Sequence, residues 1–315
     1  MNQDIVYNVQ QGFYWDWKVA LDLFFGGAGV GAFIFGVVLY EFWGDRYRRI
    51  PQTAALLAPI LVGAGLLLLM LELGRPTHIY QTFTNFAPTA PLWWGGVFQT
   101  VFLVGSVWYA FMWRDREPHN RRRQLGWALT PIAVIVGAYH GMLLAVLPSR
   151  SLWNTGPTVL AALSGFVTTG IAAVMLVHLI RAKLEGRLSV DEPVDRFLSD
   201  LRPVRTALAA ALLFQLGAFF LWWVSLRFGK FADRIALDAA NAGYGPMFWI
   251  LGIGIGLVLP LAIGGYGVRN SSKDRRKFHV WIVGVTSVLI LVGGLFFRLA
   301  VVLGGQLNPV FVTLP

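Results

Sequence analysis

Asp22, Glu72, His140 and Arg298 stand within or at the ends of otherwise apolar stretches of a 315-residue chain. A carboxylate, an imidazole and a guanidinium withdrawn from water can exchange protons with a polar molecule and steady charge on it. Asp16 and Lys18 precede the first of these stretches, Arg75 and His78 follow Glu72, Tyr139 adjoins His140, and Gln99 lies in the stretch between. Whether these groups can act together depends on the elements that carry them.

Those elements are membrane helices. Hydrophobic residues make up 56% of the chain and charged residues 13%, far below the roughly one quarter charged in soluble proteins. Mean hydropathy is +0.61. Eight runs reach the roughly 20 residues that cross a bilayer, at about 19–41, 54–73, 92–113, 125–147, 158–180, 204–226, 245–268 and 279–303. They are continuously apolar and do not alternate, which predicts helices and not a barrel. The expected architecture is all-α, a polytopic membrane protein whose residues 1–315 form one integral domain. Gly26–Gly31 and Gly165–Gly170 share a spacing, and Leu144–Leu147 is similar to Leu299–Val302, which suggests two four-helix bundles.

The net charge of +10 is distributed as a topology signal. Nineteen of the 26 Lys and Arg residues fall in the loops after the first, third, fifth and seventh helices. The positive-inside rule makes those loops cytoplasmic and both termini periplasmic, in a bacterial inner membrane. A basic surface for nucleic acid is excluded by the same distribution. The longest insertion, 181–205, mixes acidic and basic residues and reads as a solvated loop with a short surface helix.

Composition also narrows the chemistry. With no cysteine, the protein can hold no iron–sulfur cluster, no thiolate metal centre and no covalently attached haem. Of five histidines only His140 lies well inside an expected helix, whereas two b-type haems need four imidazoles within helices. His119 is expected in a cytoplasmic loop. The sequence therefore predicts no haem and no metal site, and any electrons handled here pass to or from an exchangeable partner.

Asp22 lies about one turn into the first helix, Glu72 closes the second, and His140 and Arg298 stand about two turns and one turn before the ends of the fourth and eighth. All four thus converge on the outer leaflet. Surface ion pairs, Glu72 with Arg75 and Asp22 with Lys18, are one reading. The other is a pocket for an amphipathic molecule with a polar head. A quinone has such a head, two carbonyl oxygens that take up or release two protons with two electrons, and a tail that needs an apolar cleft. A transporter or proton channel would continue its ionisable groups to the midplane and inner half, which offers little beyond Gln215 in the middle and Glu41, Asp45 and His178 at the cytoplasmic edge. A pure membrane anchor would need no pocket. Gly26, Gly27, Gly29 and Gly31 sit inside an apolar span and read as close helix packing, not as a phosphate loop.

Four stretches favour the quinone. They are Tyr14–Gly27, Glu72-Leu73-Gly74-Arg75-Pro76, Ala138–Leu144 running on to Leu152-Trp153-Asn154, and Arg298–Gln306. In order and position they resemble the NrfD family, to which the membrane subunit of polysulfide reductase belongs. The resemblance implies a subunit without its own redox centre that exchanges electrons with menaquinone or ubiquinone. Its partners would be a periplasmic four-cluster ferredoxin-like iron–sulfur subunit and a catalytic subunit, a molybdopterin enzyme or a multihaem cytochrome. Tyr139, Arg75 and Arg298 match family positions. Asp22 stands where relatives often have tyrosine, and His140 where they often have threonine. The expected quinone-binding residues are Tyr139, His140, Asp22, Asp16, Arg75 and Arg298. Proton transfer is expected of Asp22, Glu72, His78 and His140.

Overall fold

In hydrocarbon no water reaches the backbone, so each apolar segment satisfies its own N–H and C=O groups as a helix. A computed structural model describes residues 15–44, 48–72, 80–87, 89–114, 118–186, 191–269 and 276–307. Its elements are α1 (Trp17–Trp43), α2 (Arg49–Glu72), the single turn α3 (Gln81–Thr84), α4 (Pro91–Arg114), α5 (His119–Ala145) and α6 (Thr158–Leu184). They are followed by α7 (Asp191–Arg227), α8 (Phe231–Gly245), a π-helical stretch (Pro246–Val258), α9 (Leu259–Arg269) and α10 (Arg276–Gly304). No strand occurs among the described residues, and eight helices are long and apolar enough to cross a membrane. This is a multi-pass membrane protein.

Two elements run further than hydropathy predicts. The polar segment expected as a loop with a short helix is instead the start of α7, a rod of 37 residues. Its sequence opens Asp191-Glu192-Pro193, acidic residues and a proline suited to a helix N-terminus. Likewise α8, the π stretch and the start of α9 form one rod, Phe231–Tyr266, where the expected span begins only at 245. Alanine-rich sequence favours this extension, and the Lys230 amide donates to Asp233 Oδ2 at 2.9 Å to cap it. Its inner side, Ala236 and Leu237, is buried. His119, expected in a loop, opens α5 and lies 2.6 Å through Nδ1 from the Tyr40 hydroxyl.

The most enclosed span is α1, which packs against α2, α5, α6 and α10. Glycines make its approach to α6 possible. A side-chain carbon on Gly31 would overlap the Phe166 carbonyl, one on Gly170 would overlap the backbone of Gly31 and Ala32, and one on Gly27 would overlap the Phe166 ring. Gly31 and Gly170, one from each of the glycine runs with matching spacing, therefore pack on each other. Gly31→Val or Gly170→Val is expected to abolish folded protein in detergent extracts by size-exclusion profile, because overpacking already costs about 1–3 kcal/mol where neighbours can yield. Gly63→Ala is the control, since nothing stands within 4 Å of the added carbon.

The bundle has two ends. At the termini face, the Trp15 amide donates to Gln306 Oε1 at 2.8 Å, and Trp15 stacks on Trp153 with centroids 5.2 Å apart. The Trp153 indole donates to the Val301 carbonyl at 2.7 Å. At the opposite face, Arg123 forks onto Glu41, which also accepts from the Trp127 indole at 3.0 Å. Arg181 donates to Thr53 at 3.0 Å, tying α6 to α2.

Candidate functional site

The site begins where α1 begins. Asp16 caps the helix by accepting from the Lys18 amide at 2.7 Å. Lys18 Nζ lies 2.7 Å from Asp16 Oδ2 and 2.9 Å from Glu72 Oε2, joining the start of α1 to the end of α2. Partial burial raises the Asp16 pKa, but hydrogen bonds from the Lys18 ammonium and amide outweigh it and hold the carboxyl below its usual range. Lys18 thus pairs with Asp16 and Glu72, not with Asp22 as local spacing suggests. Arg75 and His78 lie outside the described residues.

One turn deeper on the same side of α1, Asp22 is 1% exposed, and its Oδ1 has no hydrogen-bond partner among the described residues. This proximity requires glycine on α2: a carbon on Gly65 would stand 2.9 Å from Asp22 Oδ1 and 3.0 Å from the Gly26 amide. From α5, His140 enters the same region, also 1% exposed. Its Nδ1 lies 2.7 Å from the Val136 carbonyl, which can only accept, so Nδ1 carries the hydrogen and Nε2 presents its lone pair. Nε2 too is buried without a partner. A carbon added at Gly26 would stand 2.9 Å from His140 Nε2 and 3.8 Å from Asp22 Oδ1, so the bare glycine keeps a gap between two orphaned acceptors.

The neighbouring Tyr139 lays its ring against Gly95 of α4, within electrostatic reach of Asp22. Arg298 approaches from α10. It donates to the Gly294 carbonyl at 2.8 Å and to Thr169 at 3.4 Å, with its guanidinium over Phe166 (5.1 Å) and Phe24 (5.3 Å). Among the described residues no carboxylate pairs with it. His140 and Arg298 border a cavity of about 50 Å³ whose other polar lining is Thr158 and Gln215, with Phe166 and Trp222 among its apolar walls. Asp22 and Tyr139 stand outside that lining, Asp22 across Gly26 from His140 and Tyr139 against Gly95 of α4.

Against known proteins, the family model described as polysulphide reductase, NrfD, matches residues 6–310. The chain belongs to the NrfD family. The C component of polysulfide reductase from Wolinella succinogenes is 26% identical over 318 residues, spanning 93% of this chain and 94% of that protein. Protein NrfD of Escherichia coli is 26% identical over 325 residues, spanning 93% and 95%. The C component of selenate reductase from Mesobacillus selenatarsenatis is 21% identical over 338 residues, spanning 94% and 75%. All four stretches that carry the resemblance fall within the family match.

In this NrfD-family protein, then, Asp22, Tyr139, His140 and Arg298 are brought together from α1, α5 and α10, while Asp16 and Glu72 sit nearer the surface as the two anions around Lys18. Sequence reading passes over Thr169 and Phe166, weighs Gln215 only for a transport path, and takes Gly26 for packing alone. Gln215 has a visible signal as a lone amide in an apolar helix; it is 4% exposed and accepts a short hydrogen bond from Thr168. Gly26 and Gly65 have none, because their value lies in what stands across from them. Among the described residues no three His, Asp or Glu side chains are placed to hold a metal ion.

Proposed function

We propose that this protein is the quinone-exchanging membrane subunit of a bacterial respiratory oxidoreductase, passing electrons between the quinone pool and an iron–sulfur subunit. The observation that carries this is the pair of orphaned acceptors, Asp22 Oδ1 and His140 Nε2, facing each other across Gly26 beside an apolar cavity that holds Arg298. Two hydroxyl donors on an apolar ring are the complement of that arrangement, and leaving such acceptors buried and unmet costs about 1–3 kcal/mol each. A menaquinol or ubiquinol bound there would supply two electrons and two protons.

Each residue has a part that follows from its position. His140 takes a proton at Nε2 and holds the ring in place through its Val136 bond. Asp22 is the next acceptor along α1, and the Asp16–Lys18–Glu72 cluster, one turn further out, leads to water. Arg298, with no carboxylate partner among the described residues, opposes negative charge at the cavity. Tyr139 and Gln215 orient the polar head. Arg75 and His78, a few residues beyond Glu72 in the chain, are the further cation and proton acceptor of this reading. The termini face is periplasmic in this reading, which rests on the nineteen Lys and Arg of the alternate loops. The helices form two four-helix bundles meeting at the α1–α6 glycine contact.

Partner subunits are supported by the relatives, two of which are named as components of polysulfide and selenate reductase, and their identities are part of the proposal. They are a four-cluster ferredoxin-like subunit on the periplasmic side and a catalytic subunit of the molybdopterin or multihaem type. The test is purification of the tagged protein from its own membranes, identification of its companions by mass spectrometry, and addition of a short-chain quinol to the complex. Cluster reduction at the quinol's expense is expected. A complex without a cluster-bearing subunit, or one whose clusters ignore quinol, overturns the proposal, and uphill ion uptake by this protein alone would favour a transporter.

A further inference from the structure

A second cavity, far larger than the first at about 700 Å³, lies between α6, α7, α9 and α10 toward the opposite face. Arg205 and Thr206 stand at its mouth, in the first turn of the apolar span Val204–Arg227. Leu212 and Ile290 line its depth, Leu212 about 10 Å further along α7 than Arg205. Ala209 of α7 and Gly265 of α9 line it and are also exposed, so it opens sideways between these helices into the surrounding hydrocarbon.

Such a space does not stand empty, because its walls would forfeit their contacts over a volume several times that of a deleted side chain. Water is a poor filling. The third polar residue in the lining, Thr286, already donates its hydroxyl to the carbonyls of Ile282 (2.9 Å) and Val283 (3.1 Å), and the remaining walls are aliphatic or glycine. The occupant therefore comes from the bilayer. Its head meets positive charge: among the described residues the lining includes Arg205 and no carboxylate. A basic pocket between helices at headgroup depth selects anionic lipid. We infer that this cavity is a specific site for an anionic phospholipid, with one acyl chain in the crevice and its phosphate on Arg205.

The experiment uses the full-length protein in mild detergent, titrated with phosphatidylglycerol or with phosphatidylcholine of the same acyl composition and read by native mass spectrometry. Phosphatidylglycerol is expected to be retained at concentrations at least tenfold lower than phosphatidylcholine. Arg205→Leu should erase that preference and Arg205→Lys should keep most of it. Gly264→Phe fills the cavity from a position where an added carbon meets nothing within 4 Å, and should reduce occupancy by either lipid at least tenfold while the protein remains monodisperse. Since the protein has no cysteine, Thr286→Cys introduces a single thiol, which should resist a charged thiol reagent in phosphatidylglycerol membranes. Equal retention of both lipids that neither Arg205→Leu nor Gly264→Phe alters, or rapid labelling at position 286 showing a water-filled vestibule, overturns the assignment.

Discussion

Asp22→Leu is expected to leave the protein assembled, raise its melting temperature, and reduce quinol-driven turnover at least a hundredfold. The two effects share one cause. Among the described residues Asp22 keeps an oxygen buried without a hydrogen bond, which penalises the folded state by about 1–3 kcal/mol, and leucine, which has no polar atom, removes that penalty. The same oxygen is the next acceptor beyond His140, and proton transfer by a positioned side chain contributes about 10²–10⁴-fold. Asp22→Asn, which preserves the shape but cannot carry the proton, should be nearly as slow. The measurement is turnover with a short-chain quinol alongside a thermal melt of the same preparation. Activity within threefold of the parent in both variants would remove Asp22 from the proton path, and a lowered melting temperature for the leucine variant would make it a structural residue.

His140→Leu should have the second large effect, again about 10²–10⁴-fold, because it deletes the basic nitrogen beside the cavity. His140→Gln separates its two duties. Glutamine can still accept a hydrogen bond, so the KM for quinol should move less than threefold while kcat falls as far as in the leucine variant. The parent should also lose turnover at acid pH as the imidazole gains a proton and ceases to be a base, and that acid limb should vanish in His140→Gln. An unchanged acid limb would assign the titration to another group. A large rise in KM with kcat preserved would make His140 a binding residue only.

Some of this could be read along the chain. Eight apolar runs are a local property, and so is the alternation of Lys and Arg between successive loops, so the membrane class and the number of spans were legible. The NrfD resemblance rested on short stretches placed in order, and the family match over residues 6–310 bears it out. Hydropathy fell short where a helix leaves hydrocarbon without stopping. The starts of α7 and of the Phe231–Tyr266 rod are polar enough to end an apolar run, yet helix propensity and capping carry them on.

The sequence by itself determined which groups would be buried in helices near one surface: Asp22, His140 and Arg298 were candidates because charge in an apolar span is costly and therefore kept for a reason. Only the tertiary structure decided which of them face one another. It gave Lys18 to Asp16 and Glu72, leaving Asp22 without a cation among the described residues, and it turned His140 Nε2 toward α1 and set Gln215 beside Arg298. The reason is that burial depends on a residue and its near neighbours along the backbone, whereas facing depends on how closely helix axes approach. That approach is decided at Gly26, Gly31, Gly65 and Gly170, positions with no side chain whose meaning lies wholly in the atoms across from them.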